Sequence, residues 1–208
     1  MCQLVAADLG KRFGRRILFR RLSFTLEGGV ILALTGANGS GKSTLIRILA
    51  GVLRPTKGTV MLRADGLAVE DAERPLHVGL VAPYLNVYDG FSARENLAFL
   101  AQARRLPEGK DRIDRVLEQV SLSTRADDPV ATYSSGMKQR VRIAAALLSD
   151  PPLLLFDEPT SNLDAPGVAM VEQVVHGYRK AGRLVIIATN DAREAAACDR
   201  VLRVEDFL

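Results

Sequence analysis

Two kinds of apolar pattern run along the chain. Near-continuous apolar runs occupy 30–35 (VILALT), 153–157 (LLLFD) and 184–189 (LVIIAT), with a weaker one at 77–82. A strand apolar at every position is buried on both faces, the condition of a parallel sheet covered by helices. Residues 22–26 (LSFTL) alternate instead, with Leu22, Phe24 and Leu26 on one face and Ser23 and Thr25 on the other. That period marks a half-exposed antiparallel strand. Together with 3–8 and 58–63 it predicts a separate small β layer.

Helical periodicity fills most of the remainder. Ser92 and Glu95 form a capping box that opens SARENLAFLAQARRL, where Leu97, Leu100 and Ala101 share a face. In DRIDRVLEQVSL the shared face carries Ile113, Val116, Leu117 and Val120. KQRVRIAAALLSD has a stripe of Val141, Ala144, Ala145 and Leu148 and is stopped by Pro151. A last helix starts at Asp164, with Pro166 in its first turn, and ends at Gly182. The expected fold class is α/β: a largely parallel sheet flanked by helices, an antiparallel β layer, and an inserted helical subdomain around 84–133. The whole of 1–208 reads as a single domain.

Composition narrows the class without naming it. The chain has 208 residues, 48% apolar and 25% charged, enough for a full core. Its net charge of +4 is modest. Much of it gathers in Lys11, Arg12, Arg15, Arg16, Arg20 and Arg21, which read as a solvated strand or turn face, with a phosphate or anionic-membrane contact as the alternative. Cys2 and Cys198 have no paired spacing, so neither a disulfide framework nor a zinc site is expected. No run reaches membrane-spanning length, and the N-terminus lacks the apolar core of a signal peptide. A cytoplasmic, soluble chain is the expectation.

The chemistry begins at GANGSGKST, residues 36–44, which fits G-x-x-x-x-G-K-[ST] between a buried strand and a helix. Glycines let successive backbone N–H groups converge on phosphate oxygens, and the helix N-terminus adds positive potential. The candidate nucleotide-binding residues are Gly36, Asn38, Gly39, Ser40, Gly41, Lys42, Ser43 and Thr44. Lys42 is expected on the β- and γ-phosphates and Ser43 on Mg²⁺. These residues predict a P-loop NTPase core that binds a nucleotide with Mg²⁺. The strand 153–157 ends in Asp157, a metal-shell candidate, followed by Glu158, placed to orient or deprotonate an attacking water.

Between Lys42 and Asp157 lie helices and then YSSGMKQR, residues 133–140, a polar turn feeding a helix N-terminus and hence a second anion grip. The phosphate loop, then YSSGMKQRVRIAAALLSDPPLLLFDEPTSNLD, then LVIIATND, in that order, resemble an ATP-binding cassette (ABC) ATPase over essentially the whole chain. The resemblance implies that two cassettes pair head to tail, the signature loop of one closing on the nucleotide of the other. By position, Ser134 and Gly136 then touch the opposite nucleotide and Asp164 lies at the seam. Phe13 matches the aromatic that stacks on adenine; the alternative is a core or edge phenylalanine. Asn190 takes the place of the family's histidine after the last core strand. An amide donates a hydrogen bond but carries no cationic form near neutral pH, so slower or partner-dependent hydrolysis is expected.

Other departures concern the grips. Ser135 replaces a glycine of the usual Leu-Ser-Gly-Gly-Gln and loses freedom if that position needs positive φ; Met137 replaces the glutamine. Pro83 stands where the family carries a glutamine, leaving Asn86 either to touch metal or water in its stead or to serve as a turn residue. The apolar loop 83–95 is either the groove that receives a helix of a membrane subunit or a locally packed loop. The resemblance implies the ATPase subunit of an ABC transporter, as a homodimer or paired cassette on a transmembrane permease, peripheral to the inner face of the cell membrane. Exporter ATPases are the nearer likeness, and within them the haem exporters of cytochrome c maturation. No C-terminal regulatory domain and no direct nucleic-acid contact are expected. The alternatives are an ATP-binding regulatory cassette with weak hydrolysis and a soluble cassette acting on nucleic acid or ribosomes.

Overall fold

The computed structural model describes residues 2–107 and 109–208. In chain order the main elements are β1 (Gln3–Phe13), β2 (Arg16–Glu27), β3 (Ile31–Thr35), α1 (Lys42–Leu49), β4 (Lys57–Ala64), β5 (Leu67–Val69), β6 (Val78–Val81), α2 (Ala93–Ala103) and α3 (Gly109–Gln119). They continue with α4 (Ser135–Leu147), β7 (Leu153–Asp157), α5 (Ala165–Lys180), β8 (Leu184–Ala188), α6 (Ala192–Ala196) and β9 (Arg200–Arg203). The apolar runs become the centre of a parallel sheet ordered β6-β7-β8-β3-β9. Alternating strands form a second, antiparallel sheet, β2-β1-β4-β5.

Successive residues of a strand point to opposite faces, and the parallel sheet feeds two cores in this way. Ile31, Phe156, Val185 and Ile187 join α2–α5 in one core. Leu32, Leu34, Leu155 and Ile186 join α1 and the antiparallel sheet in the other. The sheet is therefore the middle layer, and its strand ends carry the chemistry. Gly79 sets one helix: a Cβ there would lie 2.4 Å from the Ala146 carbonyl oxygen, so α4 rests on β6 backbone to backbone.

The caps fall where local chemistry places them. The Ser92 hydroxyl accepts from Glu95 N at 3.1 Å, and the Glu95 carboxylate accepts from Ser92 N at 2.8 Å. Asp164 accepts from Gly167 N at 3.0 Å and opens α5, which gives way to Gly182 at φ +67°. Three elements have no counterpart in the sequence reading: β5, β9 and α6. β9 (RVLR) is a mostly exposed edge strand with no apolar face to betray it.

Candidate functional site

β3 ends at Thr35, and the next six residues turn into α1. Gly36, Gly39 and Gly41 stand at φ +140°, +82° and +109°, conformations that L side chains rarely adopt. Gly41 occupies the N-cap of α1 and contributes no side chain to cap it, so the first helical N–H groups open onto a cavity of about 410 Å³. The Ser40 hydroxyl is buried and has no hydrogen-bond partner among the described residues. Open helix N–H groups and an orphaned hydroxyl in one loop fit a phosphate group.

Lys42 folds back over this loop and is only 7% exposed. Its ammonium donates to Gly36 O at 2.7 Å, Ala37 O at 3.3 Å and Asn190 Oδ1 at 2.9 Å. Asn190 Nδ2 in turn donates to Asn38 Oδ1 at 2.7 Å and to Glu158 Oε1 at 3.1 Å. One amide thus joins the phosphate-loop cation to the carboxylate after the acidic strand. Thr44 and Phe13 line the same cavity. Phe13 is 52% exposed, so it is no core residue; it sits at the cavity rim with the Lys11 ammonium 4.8 Å from its ring centroid.

Asp157 closes β7 and is 3% exposed. Burial pushes its carboxyl above the usual carboxylate range, opposed by a hydrogen bond from Ser43. A buried carboxylate beside a hydroxyl, opening toward a phosphate site, fits Mg²⁺, which keeps water and phosphate oxygens as its other ligands. Glu158 holds a left-handed φ of +51°, a conformation that costs a non-glycine residue about 1 kcal/mol or more. Its N–H is bonded to Ala188 O at 2.9 Å and its carbonyl to the Ser161 hydroxyl at 2.9 Å.

Ser134 and Gly136 lie elsewhere, outside the lining of that cavity. Ser134 is the N-cap of α4, its hydroxyl accepting from Met137 N at 3.2 Å. Ser135 is the first residue of α4 and has no positive φ, so replacing glycine there costs no backbone strain. Gly136 is the constrained position: a Cβ would stand 2.9 Å from the Asn162 carbonyl oxygen. Arg140 bonds Asp164 Oδ1 at 3.2 Å, so the start of α4 and the segment before α5 form one surface.

Asn86 sits on the loop that follows β6. It lines a groove with Val52, Leu80, Leu100 and Arg142 and is not part of the phosphate-loop cavity. The reason is the turn before it: Leu85 N bonds Ala82 O, and Arg142 Nε donates to Leu85 O at 2.6 Å, which holds the loop on the α4 side. The residue after Pro83 lies against α1 instead. Tyr84 stacks on the Arg47 guanidinium, 3.9 Å from the ring centroid, one helical turn beyond Ser43. Beyond it, Tyr88, Phe91 and Phe99 form an exposed aromatic cluster with centroid spacings of 5.7 and 5.8 Å.

Arg16 was legible only as part of the basic run. It lines the phosphate-loop cavity and donates to Gly39 O at 3.2 Å. Glu205, from the last turn of the chain, accepts from Ala37 N at 2.6 Å behind the same loop. Among the described residues no helix is long and apolar enough to cross a membrane.

Comparison with known proteins agrees with this geometry. The profile of the family described as ABC transporter matches residues 19–161. The uncharacterised ABC transporter ATP-binding protein YybJ of Bacillus subtilis is 32% identical over 198 residues, spanning 95% of this chain and 90% of YybJ. Nod factor export ATP-binding protein I of Sinorhizobium fredii is 32% identical over 204 residues, 95% of this chain but 59% of that protein. The chain thus spans less than two thirds of that longer relative. A solved dimer of the ATP-binding cassette MJ0796, in a post-hydrolysis state bound to ADP and Pi, superposes with a TM-score of 0.83 at 25% identity, over 98% of this chain and 94% of that one.

Proposed function

The chain belongs to the ABC transporter family as an ATP-binding protein with ATPase activity, and from that footing we propose how its residues do the work. Two copies, or this chain and a related cassette, pair head to tail around two nucleotides. Each phosphate loop is closed by Ser134 and Gly136 of the opposite chain. The carrying observation is the Lys42–Asn190–Glu158 connection, which sets a phosphate-binding cation and a candidate base on one amide.

Phe13 stacks on the base, while Arg16 and the helix N-terminus hold phosphate oxygens. Lys42 exchanges its loop carbonyls for the β- and γ-phosphates. Mg²⁺, held by Ser43 and Asp157 with phosphate oxygens, supplies charge neutralisation when bound. Glu158 accepts a proton from the attacking water, and its left-handed backbone aims the carboxylate out of the strand rather than along it. Asn190 keeps that carboxylate in place with one N–H and, on releasing Asn38, turns the other toward the γ-phosphate, doing with a neutral amide what the family does with histidine.

The paired cassettes work as one domain each on a separate transmembrane permease, at the inner face of the cell membrane. The groove by Asn86 and the aromatic loop receive the permease. The name of the Nod factor relative supports export; the cargo is chosen by the permease. The test is phosphate release by purified protein with Mg²⁺-ATP. Turnover that vanishes with Lys42→Ala and rises more than linearly with protein concentration is expected. Absent ATP binding, or turnover indifferent to Lys42→Ala, would overturn the reading.

A further inference from the structure

β6 and β7 are neighbours in the parallel sheet, with Val81 opposite Phe156, so the loops that follow them leave the sheet side by side. The first carries Leu85 at the groove; the second carries Glu158. α4 lies across both, and two of its side chains, three residues apart on one face, join them. Arg142 Nε donates to Leu85 O at 2.6 Å, and Arg142 Nη1 donates to Gln139 Oε1 at 3.1 Å. Gln139 Nε2 donates to Pro159 O at 3.1 Å. Gln139 is 3% exposed, and each heteroatom of its amide takes one of these two bonds. Its orientation follows from chemistry, since a guanidinium needs an acceptor and a carbonyl needs a donor.

From this we infer that Arg142 and Gln139 are positioning residues for Glu158, tying the state of the groove loop to the aim of the carboxylate. The inference rests on the role proposed for Glu158 above. Pro159 fixes its own φ and lacks an N–H, so the backbone beyond Glu158 is held through carbonyls. The Glu158 carbonyl is held by Ser161, and the next carbonyl along by Gln139. A segment entering the groove and displacing Leu85 removes one of the two acceptors of the Arg142 fork. Gln139 then loses its fixed partner, and the strained φ of Glu158 is freed to relax. The basic run KQRVR thus contains a partly buried link between the groove loop and the segment after Glu158.

The experiment is a double-mutant cycle on steady-state turnover combined with hydrogen exchange, on the whole chain. Arg142→Met and Gln139→Leu should each lower kcat about tenfold, with the KM for ATP within about twofold of wild type. The double variant should fall no further than the singles. Arg142→Lys, which keeps the charge but lacks the fork, should recover only part of the loss. Gln139→Glu keeps the volume and the bond from Arg142 but cannot donate to Pro159, so it should lose turnover even if Gln139→Leu fails to fold. In Arg142→Met, amides of 160–163 should exchange faster although Arg142 touches none of them. Additive losses, a change in KM alone, or faster exchange confined to 82–88 would overturn the inference. Wild-type protein without turnover would instead overturn the functional reading, and the exchange at 160–163 would then decide the link by itself.

Discussion

Replacing Asn190 with alanine removes three hydrogen bonds at once: from Lys42 at 2.9 Å, to Asn38 at 2.7 Å and to Glu158 at 3.1 Å. Bonds to charged groups are worth about 1.5–3 kcal/mol when dry and a neutral one about 1 kcal/mol. Asn190 is solvent-exposed, so water replaces part of each, and about 1 kcal/mol per charged bond is the reasonable figure. The sum, roughly 2–3 kcal/mol, falls on the aim of Glu158 and so on the transition state, which corresponds to a loss in kcat of roughly 30- to 150-fold. The phosphate loop, Lys42 and Arg16 all remain, so the KM for ATP should move by no more than about threefold. A neutral imidazole has one donor and one acceptor, enough to meet Lys42 and Glu158 while dropping Asn38. Asn190→His should therefore match or exceed wild-type turnover. The assay is steady-state phosphate release over a range of Mg²⁺-ATP. An Asn190→Ala protein within twofold of wild-type kcat would refute the linking role.

Other expectations follow from the same geometry. Gly136→Ala places a Cβ 2.9 Å from the Asn162 carbonyl oxygen, so the segment before α5 must give way. The cost should be about 1–2 kcal/mol in thermal unfolding, together with loss of ATP-driven pairing in light scattering. Phe13→Ala removes the rim aromatic and should raise the KM for ATP roughly three- to tenfold with kcat nearly unchanged. The Cys2 and Cys198 thiols are pushed up to about 11 by burial. Because the raised value keeps the neutral thiol in place across pH 8–10, alkylation should be slow at pH 8. It should accelerate about tenfold per pH unit until that value is reached.

The central strands could be read because burial on both faces forces every position to be apolar, as in LLLFD and LVIIAT. The caps at Ser92 and Asp164 could be read because capping is local chemistry between residues three apart. β9 could not: its strand is made by a parallel partner, Leu32 to Thr35, distant in sequence, and its own residues stay mostly exposed. The site divides the same way. Gly36 to Thr44 and Asp157–Glu158 announce themselves by spacing, and Asn190 by its place after a buried strand. The position of Asn86 could not be read because a loop's path depends on what it packs against, here Arg142 on a helix more than fifty residues later. Gln139 and Arg142 lie outside the predicted core stripe of Val141, Ala144, Ala145 and Leu148. Their roles come from tertiary contacts, with the carbonyls of Pro159 and Leu85, that spacing along the chain does not show.

The pairing of two chains around nucleotide is tested most directly by the solution mass of Glu158→Gln protein with and without Mg²⁺-ATP. With hydrolysis blocked, the mass should double on adding Mg²⁺-ATP and return when the nucleotide is removed, and Ser134→Arg should prevent the change while leaving ATP binding intact. Protein that binds ATP and stays at the mass of one chain would contradict closure by a second copy of this chain.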